Sequence, residues 1–281
     1  MILKRDEPLA PRTSYRIGGN AEYFFIPARA DEIPPAMSYC RAKGVDLRVL
    51  GGGTNLLVRD EGCRAVVSLE RLKHTDCYGP FAKAEAGASF PAFVKKLADN
   101  GCRGAEALAG IPGTVGGALV MNAGGHHGEI GDFVKRVRVV EPDGRMVTLE
   151  HDSCGFRYRD SDLKDRIILG ADFEFEEGNR DEIRAKMREI FAKKKASQPL
   201  HGRSAGCVFR NPEKAPAGRL IDELGFKGTR VGGAAVSPVH ANFLMNEGGA
   251  SAKDMLDLIQ WIRNTAQERA GVDLQLEIKV W

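Results

Sequence analysis

The clearest hydrophobic pattern in the chain lies at its end. In "VDLQLEIKVW", Val272, Leu274, Leu276, Ile278 and Val280 alternate with Asp273, Gln275, Glu277 and Lys279. A period of two predicts a strand whose apolar side meets a core, with Glu277 on the opposite face. Ahead of it, Met255, Leu258, Ile259 and Ile262 recur at helical spacing behind Ser251 and Asp254, a capping-box pair. A helix is therefore expected from Ser251 to Gly271. Another is expected from Asp181, with Ile183, Met187, Ile190 and Phe191 on one face, lysines at 193–195 at its negative end, and Pro199 preventing continuation. "PAFVKKLADNGC" (91–102) predicts a third, its Phe93, Val94 and Leu97 sharing a face.

Between these helices the patterns are those of strands. "VKRVRVVEPDGRMVTLE" (134–150) sets Pro142, Asp143 and Gly144 between two β-rich runs, the turn chemistry of a hairpin. "LRVLGGGTNLLV" reads as strand, glycine turn and a further apolar stretch, with "AVVSL" (65–69) as the next strand. The β-rich region ends near "ADFEFEE", and "GN" (178–179) precedes the second helix, which places a domain boundary near residue 178. The fold class expected is α+β, with domains 1–178 and 179–281.

Composition narrows the function without choosing it. The 281 residues are 43% hydrophobic and 28% charged, the makeup of a globular protein of two domains. Lys and Arg exceed Asp and Glu by 41 to 38, a dispersed +3 that makes neither nucleic acid nor a membrane surface the expected partner. The N-terminal residues lack the apolar core of a signal peptide and no apolar run is fit to span a bilayer, so a cytoplasmic protein is expected. Six cysteines, at 40, 63, 77, 102, 154 and 207, show no CxxC pair and read as reduced thiols. His126, His127 and Glu129 sit among glycines without helical His-x3-His spacing, so a loop rather than a metal site is expected.

Glycine is concentrated in loops. Gly51, Gly52 and Gly53 precede Thr54 and Asn55, and "GIPGTVGGALVMNAG" carries Gly110, Gly113, Gly116 and Gly117 with Thr114 and Asn122 as polar groups. Glycine lets backbone amides converge on phosphate oxygens. A dinucleotide Gly-x-Gly-x-x-Gly is absent between residues 49 and 58, and no Gly-Lys-Ser/Thr exists for a Walker loop. The second segment is too glycine-dense for a comfortable helix. Two such loops suggest a dinucleotide with a diphosphate. Cys207, in "HGRSAGCVFRNP", is either a small buried hydrophobe or a proton donor.

Taken in order, "TSYRIGG", "VLGGGTNLLV", "GIPGTVGGALVMNAG", "CGFRYRDS", "SAGCVFRNP", "AGRLIDELGFKG", "HANFLMN" and "LEIKV" resemble the UDP-N-acetylenolpyruvoylglucosamine reductases over nearly the whole chain. The resemblance implies an FAD-binding domain of the p-cresol methylhydroxylase/vanillyl-alcohol oxidase type followed by a smaller substrate domain, the last strand able to return toward the flavin. It implies NADPH as hydride donor, a UDP-sugar substrate, and FAD held without a covalent link by Gly51 to Asn55, by Gly110, Ile111, Pro112, Gly113, Thr114, Gly116 and Gly117, and by Asn122 and Ala123. Arg159 and Glu277 match the family's carboxylate-binding arginine and its glutamate. Cys207 stands where the commoner pattern has a serine as proton donor. Tyr158, Lys195, Arg210, Asn211 and Asn242 are the substrate-binding candidates. The short interval from Arg159 to Cys207 resembles the compact subclass without a tyrosine-bearing loop. Two competing readings are another FAD oxidoreductase of this fold and a flavin- or nucleotide-binding module without catalysis.

Overall fold

The computed structural model describes every residue except His126 and Lys214. Strands and helices divide between two compact units built from interleaved segments: residues 1–5, 23–52 and 64–194 form the first, and residues 6–22, 53–63 and 195–281 the second. The boundary expected near residue 178 thus falls inside the first unit, ahead of a helix that runs past it. Among the described residues, no helix is long and apolar enough to cross a membrane.

A four-stranded sheet runs in the order Ile2–Pro8, Asn20–Ile26, Cys63–Ser68, Leu47–Leu50. Its last pair is parallel, Leu47 opposite Ala65 and Leu50 opposite Ser68. The first unit also holds a five-stranded sheet in the order Met146–Glu150, Val134–Val140, Ile167–Glu174, Phe81–Glu85, Thr75–Tyr78. The expected hairpin is there, with Val140 opposite Met146 and Arg136 opposite Glu150. Its turn closes through Glu141 and Gly144, the latter at φ 95°, a left-handed conformation open to glycine. Val137, Val139 and Val140 turn into a core that also takes Phe90, Phe93, Val94 and Leu97 of helix α2 (Phe90–Asp99), which follows helix α1 (Ile33–Ala42).

The segment judged too rich in glycine for a helix contains one. Helix α3 spans Val115–Val120, and its cap Thr114 accepts the Gly117 amide at 3.4 Å. Glycine is required here by proximity: a Cβ on Gly116 would stand 2.9 Å from the Ala86 Cβ and 3.1 Å from the Ala86 carbonyl oxygen. Helix propensity disfavours glycine by ~1 kcal/mol, but close approach to Ala86 outweighs it.

Helix α4 (Arg180–Ser197) ends two residues before Pro199, as expected. Its buried face is narrower than the pattern implied. Ile183 and Ile190 are buried, Met187 is partly so, and Phe191 is exposed. The helix otherwise carries charge, so its apolar stripe is only two or three side chains wide.

In the second unit, helix α5 (Ala217–Glu223) and helix α6 (Ala252–Ala270) pack with a three-stranded sheet of Arg230–Val231, Ala234–Val236 and Leu244–Asn246. Both members of the Ser251–Asp254 capping box are formed, and Gly271 closes α6 at φ 62°. The terminal strand differs from expectation. Leu274 and Ile278 are buried as the alternation requires, yet regular pairing is confined to Lys279–Val280, parallel to Leu56–Leu57. Upstream, Leu276 makes an isolated bridge with Phe209. The segment changes partner midway, so no single ladder runs its length.

That change of partner laces the loop holding Cys207. The Glu277 amide donates to the Val208 carbonyl at 2.8 Å, and the Arg210 amide donates to the Gln275 carbonyl at 2.9 Å. From the other side, the Val208 amide donates to the Asn242 carbonyl at 2.8 Å, and the Asn242 side chain brackets Phe209, accepting its N–H at 2.9 Å and donating to its carbonyl at 2.8 Å. The Asn242 amide in turn donates to His240 Nδ1 at 3.2 Å, which leaves the ring proton on Nε2.

Two expected outcomes follow from these contacts. Gly116→Ala retains the fold but lowers stability by about 1–3 kcal/mol, because Ala86 presents a Cβ and a carbonyl that cannot swing aside; an unchanged thermal midpoint would contradict the contact. Burial, with Lys227 adding to it, holds the His240 pKa below its ordinary 6.5. The unfolded chain therefore binds this proton first, and the stability tied to neutral His240 is present above 6.5 and is lost as pH falls. An NMR titration of the His240 ring should give a midpoint below 6.5, and one at or above that value would contradict its burial.

Candidate functional site

In the first unit two glycine loops come together. A Cβ on Gly52 would lie 2.8 Å from Gly113 Cα, and one on Gly51 would lie 2.7 Å from Thr114 Oγ1. The Gly113 carbonyl accepts the Phe90 amide at 2.9 Å, and the Gly116 amide donates to the Ala86 carbonyl at 2.8 Å, so the second loop is tied to α2 and to the end of a sheet strand. Gly113 itself has φ 109°. These loops can approach because both surfaces are bare backbone, the condition for close contact with a diphosphate. Gly110, at φ 74°, lies under α4: a Cβ there would stand 3.1 Å from the Phe191 ring and 3.3 Å from the Lys194 chain. This explains an exposed phenylalanine on that helix. Ile111 packs against the first unit's core, and Pro112 leads from it into the Gly113 turn.

Asn122 and Ala123 follow α3. Asn122 is buried at φ 40°; its Oδ1 accepts the Gly131 amide at 2.9 Å and its Nδ2 donates to Glu129 and to the Arg157 carbonyl. The Ala123 carbonyl accepts from Ile130 at 2.9 Å. Asn122 is thus a brace for the turn beside the loop. Glu129 accepts from this brace and lies 3.8 Å from Arg159. Among the described residues no group of three or more His, Cys, Asp or Glu is placed to hold a metal ion, and His126 lies outside them.

Arg159 also belongs to the first unit. Its backbone sits at φ 54°, a left-handed conformation uncommon for a side chain of this size. The Nη2 donates to the Gly124 carbonyl at 2.9 Å, and the guanidinium lies 5.1 Å from the centre of the half-exposed Tyr158 ring. Strain of this kind is held by surrounding contacts and is concentrated at functional positions. Lys194 reaches the same region. Its Nζ donates to the Ala109 carbonyl at 2.5 Å, and burial first, then the charge of Arg159, lowers its pKa. Lys195, the lysine singled out from spacing, is exposed. One residue on a helix is a turn of about 100°, and here it separates the half-buried lysine from the solvated one.

The second unit carries Cys207 and Glu277. Gly206, at φ 80°, turns the chain into Cys207, which makes an isolated bridge with Phe243. The Glu277 amide to Val208 carbonyl bond sets Glu277 beside this segment, and both side chains are half-buried. Asn55 belongs here too, donating from Nδ2 to the Glu277 carbonyl at 3.2 Å, while its own carbonyl accepts from Lys279. Gly53 lies against the backbone of Arg12 and Thr13, and Thr54 is half-buried next to it. Arg210 is half-buried on the laced segment. Asn211 accepts the Ala217 amide at the start of α5 at 3.0 Å, and the Asn242 amide is occupied with Phe209, so each acts first on the backbone.

One neighbour of Cys207 was not singled out from sequence. Tyr15 is fully buried, and burial drives its hydroxyl pKa well above the ordinary phenolic value, with Cys207 pushing further in the same direction and the Ala205 backbone opposing. Its carbonyl accepts from Asn246 Nδ2 at 2.8 Å. Tyr15 stands inside the "TSYRIGG" motif, but nothing local in that motif ties it to a cysteine 192 positions on.

Residues 21–150 match the FAD binding domain family, and residues 198–281 match the family described as UDP-N-acetylenolpyruvoylglucosamine reductase, C-terminal domain. The chain is similar to the UDP-N-acetylenolpyruvoylglucosamine reductase of Geobacter metallireducens, at 43% identity over 98% of this chain and 93% of that one. It is likewise similar to that of Carboxydothermus hydrogenoformans, at 40% identity over 98% and 92%. Its structure resembles the crystal structure of UDP-N-acetylenolpyruvylglucosamine reductase from Thermus caldophilus, with a TM-score of 0.86 and 38% identity across 100% of this chain and 99% of that one. With identity at this level sustained across both units, the chain belongs to the UDP-N-acetylenolpyruvoylglucosamine reductase family.

Proposed function

We propose that this chain reduces the enolpyruvyl ether of UDP-N-acetylglucosamine enolpyruvate to the lactyl ether of UDP-N-acetylmuramate in peptidoglycan precursor synthesis, with Arg159, Glu277 and Cys207 as its catalytic residues. The observation that carries the assignment of roles is the backbone bond from Glu277 to Val208, which seats a carboxyl group next to the cysteine loop. The bare backbone of Gly51 and Gly52 suits a flavin dinucleotide, since a Cβ at either would press into the Gly113–Thr114 loop. Those glycines, with Thr114, Gly116 and Gly117, would hold FAD without a covalent link. Bound there, FAD would supply the hydride-transfer chemistry between NADPH and the enolpyruvyl ether.

What remains for the protein is charge and a proton. Hydride addition leaves negative charge spread into the substrate carboxylate, and preorganised donors stabilise it more than mobile water would. Arg159, fixed by Gly124, can hold the carboxylate with its guanidinium, and Glu277 in its acid form can donate a hydrogen bond to the developing enediolate. The carbon next to the carboxylate then needs one proton, which the Cys207 Sγ–H provides. Tyr158, Lys195, Arg210 and Asn211 remain the candidates for gripping the UDP-sugar, and Asn242 contributes by holding Phe209. A nucleotide-sugar substrate supports a cytoplasmic reaction.

Removal of the proton donor separates these roles from packing. In Cys207→Ala, FAD content and flavin reduction by NADPH stay within about 2-fold of wild type, whereas flavin reoxidation by the enolpyruvyl substrate slows by roughly 100-fold or more. Stopped-flow absorbance of the flavin reads both halves. Wild-type reoxidation in Cys207→Ala would reduce the residue to a packing group.

A further inference from the structure

Two cysteines outside this machinery meet in the first unit. Cys77 lies on the strand Thr75–Tyr78, at the edge of the five-stranded sheet, and is half-buried. Cys102 opens the short strand Cys102–Arg103, just after α2, and is fully buried. Their Sγ atoms are 3.6 Å apart, and both face the Gly79 carbonyl, Cys102 at 3.3 Å and Cys77 at 3.9 Å. Sulfurs at 3.6 Å need to close by roughly 1.5 Å to reach a disulfide bond length. An edge strand can supply that movement, because it is paired on one side only.

We propose that Cys77 and Cys102 are a redox-active dithiol, a modification site that a peroxide converts to an intrachain disulfide. The two thiols have unequal parts. Burial pushes the Cys102 pKa up to about 12, with Cys77 adding to it, so Cys102 stays a neutral thiol and is shielded from solvent. Cys77 is the sulfur an oxidant can meet. Its thiolate attacks one oxygen of hydrogen peroxide, the O–O bond breaks, hydroxide leaves, and Cys77 becomes a sulfenic acid. The Cys102 sulfur then attacks the Cys77 sulfur, the S–O bond breaks, and the departing oxygen leaves as water with the Cys102 proton. Two thiols and one peroxide give one disulfide and two waters; the sulfurs lose two electrons and the peroxide oxygens gain them.

The site is set apart from the flavin loops. The Gly113 loop bonds to the first residue of α2, Phe90, while Cys102 follows the last, and ten residues of helix span about 15 Å. The new bond would join the edge strand to the strand beyond α2 and bridge a stretch that Lys96 already ties to Thr75.

Treating the full FAD-loaded chain with a few equivalents of hydrogen peroxide, alkylating the remaining thiols and mapping peptides by mass spectrometry tests this. The expected product is a Cys77–Cys102 peptide pair two hydrogens lighter than the separate thiols and released by dithiothreitol. In Cys102→Ala the cross-link is absent and Cys77 is trapped by dimedone as its sulfenic acid. The wild-type map stands alone should that variant fail to fold. Recovery of both cysteines fully alkylated after peroxide has oxidised other thiols of the chain would overturn the proposal, as would Cys77 passing to its sulfinic acid in the wild type without any cross-link.

Discussion

The segment Val208–Phe209 is hydrogen-bonded from two sides at once, and the second unit's chemistry depends on that arrangement. Asn242 holds it through the carbonyl and both ends of its side-chain amide, and the Gln275–Glu277 segment holds it through a bond to the Val208 carbonyl and a second from the Arg210 amide just beyond it. Val208 and Phe209 are buried, so each of these amides would be left dry if its partner withdrew, at a cost of about 1–3 kcal/mol apiece. The loop therefore has one conformation. Cys207 precedes it and Glu277 is bonded across from it, so the thiol and the carboxyl hang from the same ladder. A general acid is effective only when it is held where the proton must go, and backbone pairing is the stiffest means available.

The first unit solves a different problem by removing side chains. At Gly51, Gly52 and Gly116 the chain approaches a neighbour so closely that a methyl group has no room. Two of these positions lie on loops, and the third is in the first turn of α3, whose short length matches its weak glycine-rich sequence. Close approach and helix formation conflict at Gly116, and the structure settles it by capping the helix with Thr114 and anchoring its first turns to Ala86 and Ala88. Arg159 adds positive charge to the same unit at a backbone angle that only surrounding contacts can maintain.

Local signals were legible in the sequence; choices of partner were not. The Ser251–Asp254 box, Gly271 at the end of α6, and the Pro142-Asp143-Gly144 turn act within a few residues of themselves and appear where expected. Of the inward set that alternation gave for the last ten residues, Val272, Leu274 and Ile278 are buried and Leu276 and Val280 half-buried, but alternation could not reveal that the segment bridges Phe209 before it pairs with Leu56–Leu57. The family motifs marked Asn242 as a binding residue, whereas its amide is engaged with backbone 33 residues away. Lys194 and Tyr15 escaped notice for a related reason: burial and neighbours, not residue type, distinguish them, and both arise from contacts distant in sequence.

The central claim is that the substrate's proton comes from a thiol. The pH dependence of flavin reoxidation by the enolpyruvyl substrate tests it most directly, in the wild type beside Cys207→Ser. A thiol donates only while protonated, and an aliphatic hydroxyl does not ionise in the accessible range. The wild-type rate should fall as pH rises through the thiol's ionisation, and the serine variant should turn over without that alkaline limb. The same alkaline limb in both proteins would contradict the account and place the proton on another group.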